Sequence, residues 1–110
     1  MPHYLVQVAY TPEAWAAQLK NPQDRVAIVG KALAAVGARI VSTYLAFGDY
    51  DVVFIMEAPD NVTAAGLSMM FSAGGALKTI KTTPLMTTEE SIQAMRKGAA
   101  AAASYRPPGS

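Results

Sequence analysis

The chain has 110 residues, a formal net charge of +1, one histidine and no cysteine. That length is one domain rather than two, and the missing cysteines exclude a disulfide framework, a thiolate nucleophile and every Cys-ligated zinc or iron–sulfur site. The Lys and Arg residues are scattered rather than gathered in a basic stripe, which argues against nucleic acid as a partner, and no run of about 18 apolar residues offers a membrane span. The start, MPHYLVQVAY, has no basic n-region and no long apolar run, so the expected location is the cytoplasm.

Residues 3 to 10 alternate. Tyr4, Val6, Val8 and Tyr10 share one face and His3, Leu5, Gln7 and Ala9 the other, which predicts a strand. Thr11 is a good N-cap and Pro12 a good first helical residue, opening a short helix through Trp15 and Leu19. Asn21-Pro22 repeats that start signal, with Asp24 in the first turn where the helix dipole favours it. Val26, Val29, Leu33 and Val36 then form an apolar stripe, and Gly37 is a natural stop.

Ala38 to Phe47 reads as the second strand, with Ile40, Ser42, Tyr44 and Ala46 on one face and Val41, Thr43, Leu45 and Phe47 on the other. Gly48-Asp49 is a turn signal, in which Gly48 would relieve a positive φ and Asp49 would bond its own turn. Asp51 to Ala58 is the third strand, and the short gap predicts a hairpin. Asp60 caps a helix expected to bury Val62, Ala65, Gly66, Met69, Met70 and Ala73, with Gly74-Gly75 ending it. Leu77 to Met86 is the fourth strand. Thr87 and Glu90 form a capping box for a last helix through Ile92 and Met95, which Gly98 is expected to end. The domain is therefore residues 1–98, and residues 99–110 are an Ala-rich, Pro-containing tail with Tyr105 as its natural anchor, resting either on its own subunit or on a neighbouring one.

The order is β-α-β-β-α-β plus a C-terminal helix. It predicts an α+β, ferredoxin-like sandwich, an antiparallel sheet with its helices on one face. The first three strands carry apolar or aromatic residues on both sides, so the helix-free face needs a cover, and a second copy is the simplest one.

Two residues are candidates for acid–base chemistry. His3 is the only histidine, the residue type most often used as a general base near neutral pH. Asp51 opens an otherwise apolar strand, where a carboxylate needs a partner, either backbone N–H groups or Arg25 or Arg39. His3, Asp51 and Glu57 would approach one another if strands one and three were neighbours, but neither a metal nor a cofactor is expected. Tyr10, Trp15, Tyr44, Phe47 and Tyr50 are candidates to line a ligand pocket. Gly74-Gly75 lacks the Lys-Ser/Thr of a phosphate loop and precedes a strand, and one histidine without a Gly-x-Ser-x-Gly elbow makes no serine triad.

At Gly48-Asp49-Tyr50-Asp51 the chain resembles the GYD domain family, named for a Gly-x-Tyr-Asp signature. Tyr10-Thr11, Pro22 with Arg25, Tyr44, Glu57-Ala58-Pro59-Asp60 and Gly74 extend the resemblance over residues 3 to about 93. It implies a dimeric α/β-barrel, a class that includes cofactor-free monooxygenases, haem-degrading enzymes and effector-binding domains. Where family members often end a threonine-rich last strand with arginine, this chain has Thr79-Ile80-Lys81-Thr82-Thr83-Pro84. Two functions follow as expectations. One is a homodimeric domain that binds a small apolar or aromatic molecule or acts as an oligomeric scaffold. The alternative is a cofactor-independent monooxygenase on an aromatic or polyketide-like substrate, with His3 or Asp51 as base and Tyr44 or Tyr50 as hydrogen-bonding partner.

Overall fold

The alternation of residues 3–10 becomes strand β1 (His3–Tyr10), in which Tyr4, Val6 and Val8 are buried while His3, Leu5 and Gln7 are half-buried. In chain order there follow α1 (Pro12–Lys20), α2 (Arg25–Ala34), β2 (Arg39–Leu45), β3 (Val52–Glu57), α3 (Asn61–Ala73), β4 (Leu77–Leu85) and α4 (Thr88–Ala102). This computed structural model describes residues 1–109; Ser110, the last residue of the expected tail, lies outside the described residues. The strands form one antiparallel sheet in the order β2-β3-β1-β4. That is the ferredoxin-like α+β arrangement, with an additional C-terminal helix. No helix among the described residues is long and apolar enough to cross a membrane.

Local signals set most of the helix starts. Thr11 Oγ1 accepts from Ala14 N at 3.1 Å, and Asp60 Oδ1 accepts from Thr63 N at 2.8 Å. Thr87 and Glu90 make both halves of the capping box, at 3.0 and 3.1 Å. Each satisfies backbone donors that have no partner inside the helix. The start of α2 differs from the expectation. Asp24, not Asn21, is its N-cap, accepting from Ala27 N at 3.2 Å. Asn21 instead closes α1, its N–H bonded to the Ala17 carbonyl at 3.0 Å. Gly98 does not end α4; a single glycine costs about 1 kcal/mol in a helix, and the alanines after it have the best helix propensity.

Two face assignments also change. The register between β2 and β3 runs Ile40↔Met56 and then Ser42↔Ile55, so Val41 is an extra, bulged residue. Past the bulge the alternation shifts phase. Thr43, opposite buried Phe54, and Leu45 lie on the same face as Ile40, and Tyr44 moves to the face opposite. In α3 the sheet-facing residues are Ala64 and Leu67, whereas Val62 and Met69 are 82% and 71% exposed. A helix apolar all round gives the eye no stripe to follow.

The core is densest around Tyr4, Val6, Leu33 and Met56, the largest fully buried side chains. Leu33 comes from α2, and Ala64 and Leu67 from α3, all on one side of the sheet. The other side presents Leu5, Gln7, Val53 and Ile55, half-buried, beside exposed Tyr44. The outer strands are β2, with its bulge, and β4, with Lys78, Lys81 and Pro84. α4 makes no more than marginal contact with the rest of the chain. The radius of gyration is consequently 17.8 Å and the long axis 59 Å, where a compact chain of this length would have a radius of about 13 Å.

Candidate functional site

At the end of the sheet away from Tyr4 and Met56 the layers stand apart. Val8 of β1, Val52 and Phe54 of β3, and Ile40 of β2 form a floor, and Val26 and Val29 of α2 form one wall. Phe71 at the end of α3 and Leu77 at the start of β4 form the other wall. The cavity between them is about 430 Å³, a size suited to a small ligand. Four valines, Val8, Val26, Val29 and Val52, are among its lining residues.

Its polar rim is built at the junction of β1 and α1. A register irregularity between Ala9 and Tyr10 ends β1, and the Tyr10 backbone N–H points to Asp51 Oδ2 at 2.9 Å. The indole Nε1–H of Trp15 donates to the same oxygen at 3.2 Å. Tyr10 and Trp15 meet edge to face, with ring centroids 5.2 Å apart and planes at 77°, the favoured geometry for aromatic pairs. The Asp51 backbone N–H closes the junction by donating to the Val8 carbonyl at 2.7 Å. Burial holds the Tyr10 phenol above its ordinary pKa of 10.0; the nearby Arg25 guanidinium opposes that shift and Asp51 adds to it. At neutral pH Tyr10 therefore keeps its proton and serves as a neutral donor and acceptor. Arg25 lines the cavity, and no carboxylate among the described residues lies within ion-pair distance of it.

His3 lies elsewhere. It pairs across the sheet with Glu57, its Nε2 3.2 Å from Glu57 Oε1. Arg39 Nε donates to Glu57 Oε2 at 2.7 Å. That hydrogen bond from Arg39 holds the Glu57 carboxyl below its ordinary pKa of 4.5, with the charges of Arg39 and His3 adding to the effect. Glu57 is six residues from Asp51 along β3, about 20 Å at strand rise. β1 and β3 are indeed neighbours, but they bring together His3 and Glu57 and leave Asp51 at the far end. Among the described residues no three His, Asp or Glu side chains gather as a metal ligand set.

Of the five aromatic candidates, Tyr10 borders the cavity, Tyr44 meets it at β2 from a register position on the opposite, helix-free face, and Trp15 backs Tyr10. Phe47 is fully exposed on the β2–β3 connection, and neither it nor Tyr50 lines the cavity. Gly48 does not have a positive φ, so the turn does not demand glycine there. A Cβ at Gly48 would also meet nothing. Sequence reading missed Arg25 as a rim residue and Val8, Val29 and Val52 as lining. Only the stripe Val26–Val29 hinted at them, and it reads equally well as core.

Fold and site together define a ferredoxin-like α+β domain with an apolar, single-chain cavity. The profile described as "GYD domain" matches residues 4–95, and the chain belongs to that family. A Thermus thermophilus protein named "Glutamine synthetase and cystathionine beta-lyase binding protein" is 32% identical over 81 residues, spanning 73% of this chain and 84% of that one. Two solved structures share the fold. The T. thermophilus protein TTHA0845 aligns with a TM-score of 0.52 at 16% identity, over 80% of this chain and 96% of its own. FFRP-DM1 aligns with a TM-score of 0.52 at 11% identity, over 78% and 100%. At those identities the two structures speak for the fold alone.

Proposed function

We propose that this chain is a binding domain, not an enzyme, that pairs with a second copy through its helix-free sheet face and holds a small apolar or aromatic molecule. The cavity carries this reading. It has valine, isoleucine and phenylalanine walls, and Tyr10 and Arg25 among its lining residues have a hydroxyl and a guanidinium to offer one polar group of the ligand. Binding sites are commonly built this way, apolar walls with few polar anchors. The T. thermophilus relative, named as a binding protein, supports binding over turnover. The oxygenase reading requires a base at the cavity. His3 is at the other end of the sheet, and Asp51 Oδ2 already accepts two N–H groups.

The probe for the test is 1-naphthoate, an aromatic body with one acidic group, titrated by calorimetry. Wild type should bind one molecule per chain. Val29→Phe fills the cavity and should weaken binding by about tenfold or more, a cost of about 1.4 kcal/mol, with an unchanged circular dichroism spectrum. Absence of binding by wild type, or equal binding by a folded Val29→Phe protein, would overturn the reading.

A further inference from the structure

α4 is a well-specified helix with nothing of its own to rest on. Its capping box is complete on both sides. Yet none of its residues is buried, and it makes only marginal contact with the rest of the chain. A lone helix of this length is marginal in water, and helices in proteins are stabilised mainly by docking an apolar face. α4 has such a face. Ile92, Met95 and Ala99 follow a spacing of three and four, and Ile92 and Met95 are exposed. Glu90 and Lys97 fall on the opposite side, and Glu89 and Arg96 flank the row beside Ile92.

α3 presents the matching surface. None of its thirteen residues is charged, although a surface helix normally turns a charged face to water. Its outer row, Val62, Ala65 and Met69, is exposed. Beside that row, Ala65 and Met69 of α3 and Thr82 and Pro84 of β4 border a shallow apolar groove of about 370 Å³. The alanine at position 65, with Gly66 beside it, leaves room for a helix to approach closely.

We infer that α4 is an exchange arm, which seats its Ile92–Met95–Ala99 row on the outer face of α3 in a second copy of this chain and receives that copy's α4 in return. Two observations select a second copy over other occupants. Donor and acceptor surfaces both belong to this one chain, so a two-fold exchange covers both and leaves neither bare. The arm also makes no more than marginal contact with its own α3, in a chain whose long axis is 59 Å. The contact is separate from sheet-face pairing and stands or falls without it.

The cysteine-free sequence makes the test direct. Met69→Cys and Met95→Cys are made as two single variants, one of them isotopically labelled, then mixed at equal concentration and oxidised. The expected product is a covalent dimer containing one labelled and one unlabelled chain, absent when either variant is oxidised alone. The double variant should likewise give inter-chain disulfides. An intra-chain disulfide as its main product would show that α4 folds back on its own α3 and would overturn the inference. Linkage only between two Met95→Cys chains, or no linkage at all, would overturn it too. In a second arm, Ile92→Lys with Met95→Lys should raise the concentration at which assemblies dissociate in sedimentation velocity by about tenfold or more. An unchanged dissociation curve would count against the arm as decisively as a failed cross-link.

Discussion

The Asp51 carboxylate serves a backbone donor and an indole donor at once, tying the end of β1, the start of α1 and the start of β3 together through one atom. A buried donor that loses its acceptor costs about 1–3 kcal/mol. Asp51→Ala should therefore lower stability by about that amount. Asp51→Asn, whose amide oxygen can still accept, should cost about 1 kcal/mol or less. Urea unfolding followed by Trp15 fluorescence checks the order, and an unchanged midpoint for Asp51→Ala would refute it. The need of Asp51 for a partner was legible from one carboxylate before an apolar run. A backbone N–H was among the expected partners, and Tyr10 supplies it; the Trp15 indole and the choice against either arginine were not legible. Arg25 and Arg39 were equally good candidates on charge. Arg39 instead meets Glu57, its cross-strand neighbour, and Tyr10 and Trp15 approach Asp51 through a chain turn that no spacing reveals.

The elements were legible where their signals are local. Caps at Thr11, Asp60 and Thr87 act over three residues, and the structure keeps all three. Phase and facing depend on neighbours, and there the reading fails. One bulged residue, Val41, turns the far half of β2 over, and α3 offers no polar side to orient it. Strand pairing also creates a clasp in which Glu57 of β3 holds His3 of β1 and Arg39 of β2. Because Glu57 titrates below 4.5 in the folded chain, its contribution is present above that pH and fades as pH falls through the lowered value. The stability gap between wild type and Glu57→Gln, read from urea midpoints, should thus narrow as pH falls through and below 4.5. A gap that stays constant or widens would contradict this. Asp60 and Glu90, held low by the N–H groups of Thr63 and Thr87, add acid sensitivity in the same direction but do not enter this difference.

For the molecule as a whole, the sequence disclosed the sandwich and its uncovered face, because both follow from element order and from apolar residues on two sides of the strands. The cavity was not legible. Its floor and walls come from six separate elements, and valine lines a void as readily as it fills a core. The uncovered face gives the last expectation. Ile55 sits on it between Leu5 and Ser42, so Ile55→Asp places a charge within the proposed pairing surface. Light scattering should show a smaller particle for the variant, still folded, than for wild type at micromolar concentration. A particle whose size is unchanged by the substitution would dismiss sheet-face pairing. The sheet's outer strands bear on how far any such assembly extends. An open sheet edge is a template for another strand, and a chain with two good edges can polymerise. Here one edge is kinked by the bulge at Val41, and the other carries two lysines and Pro84, which has no N–H to offer. Growth by strand addition is therefore blunted at both ends, and concentrated protein is kept from extending into fibres by that route.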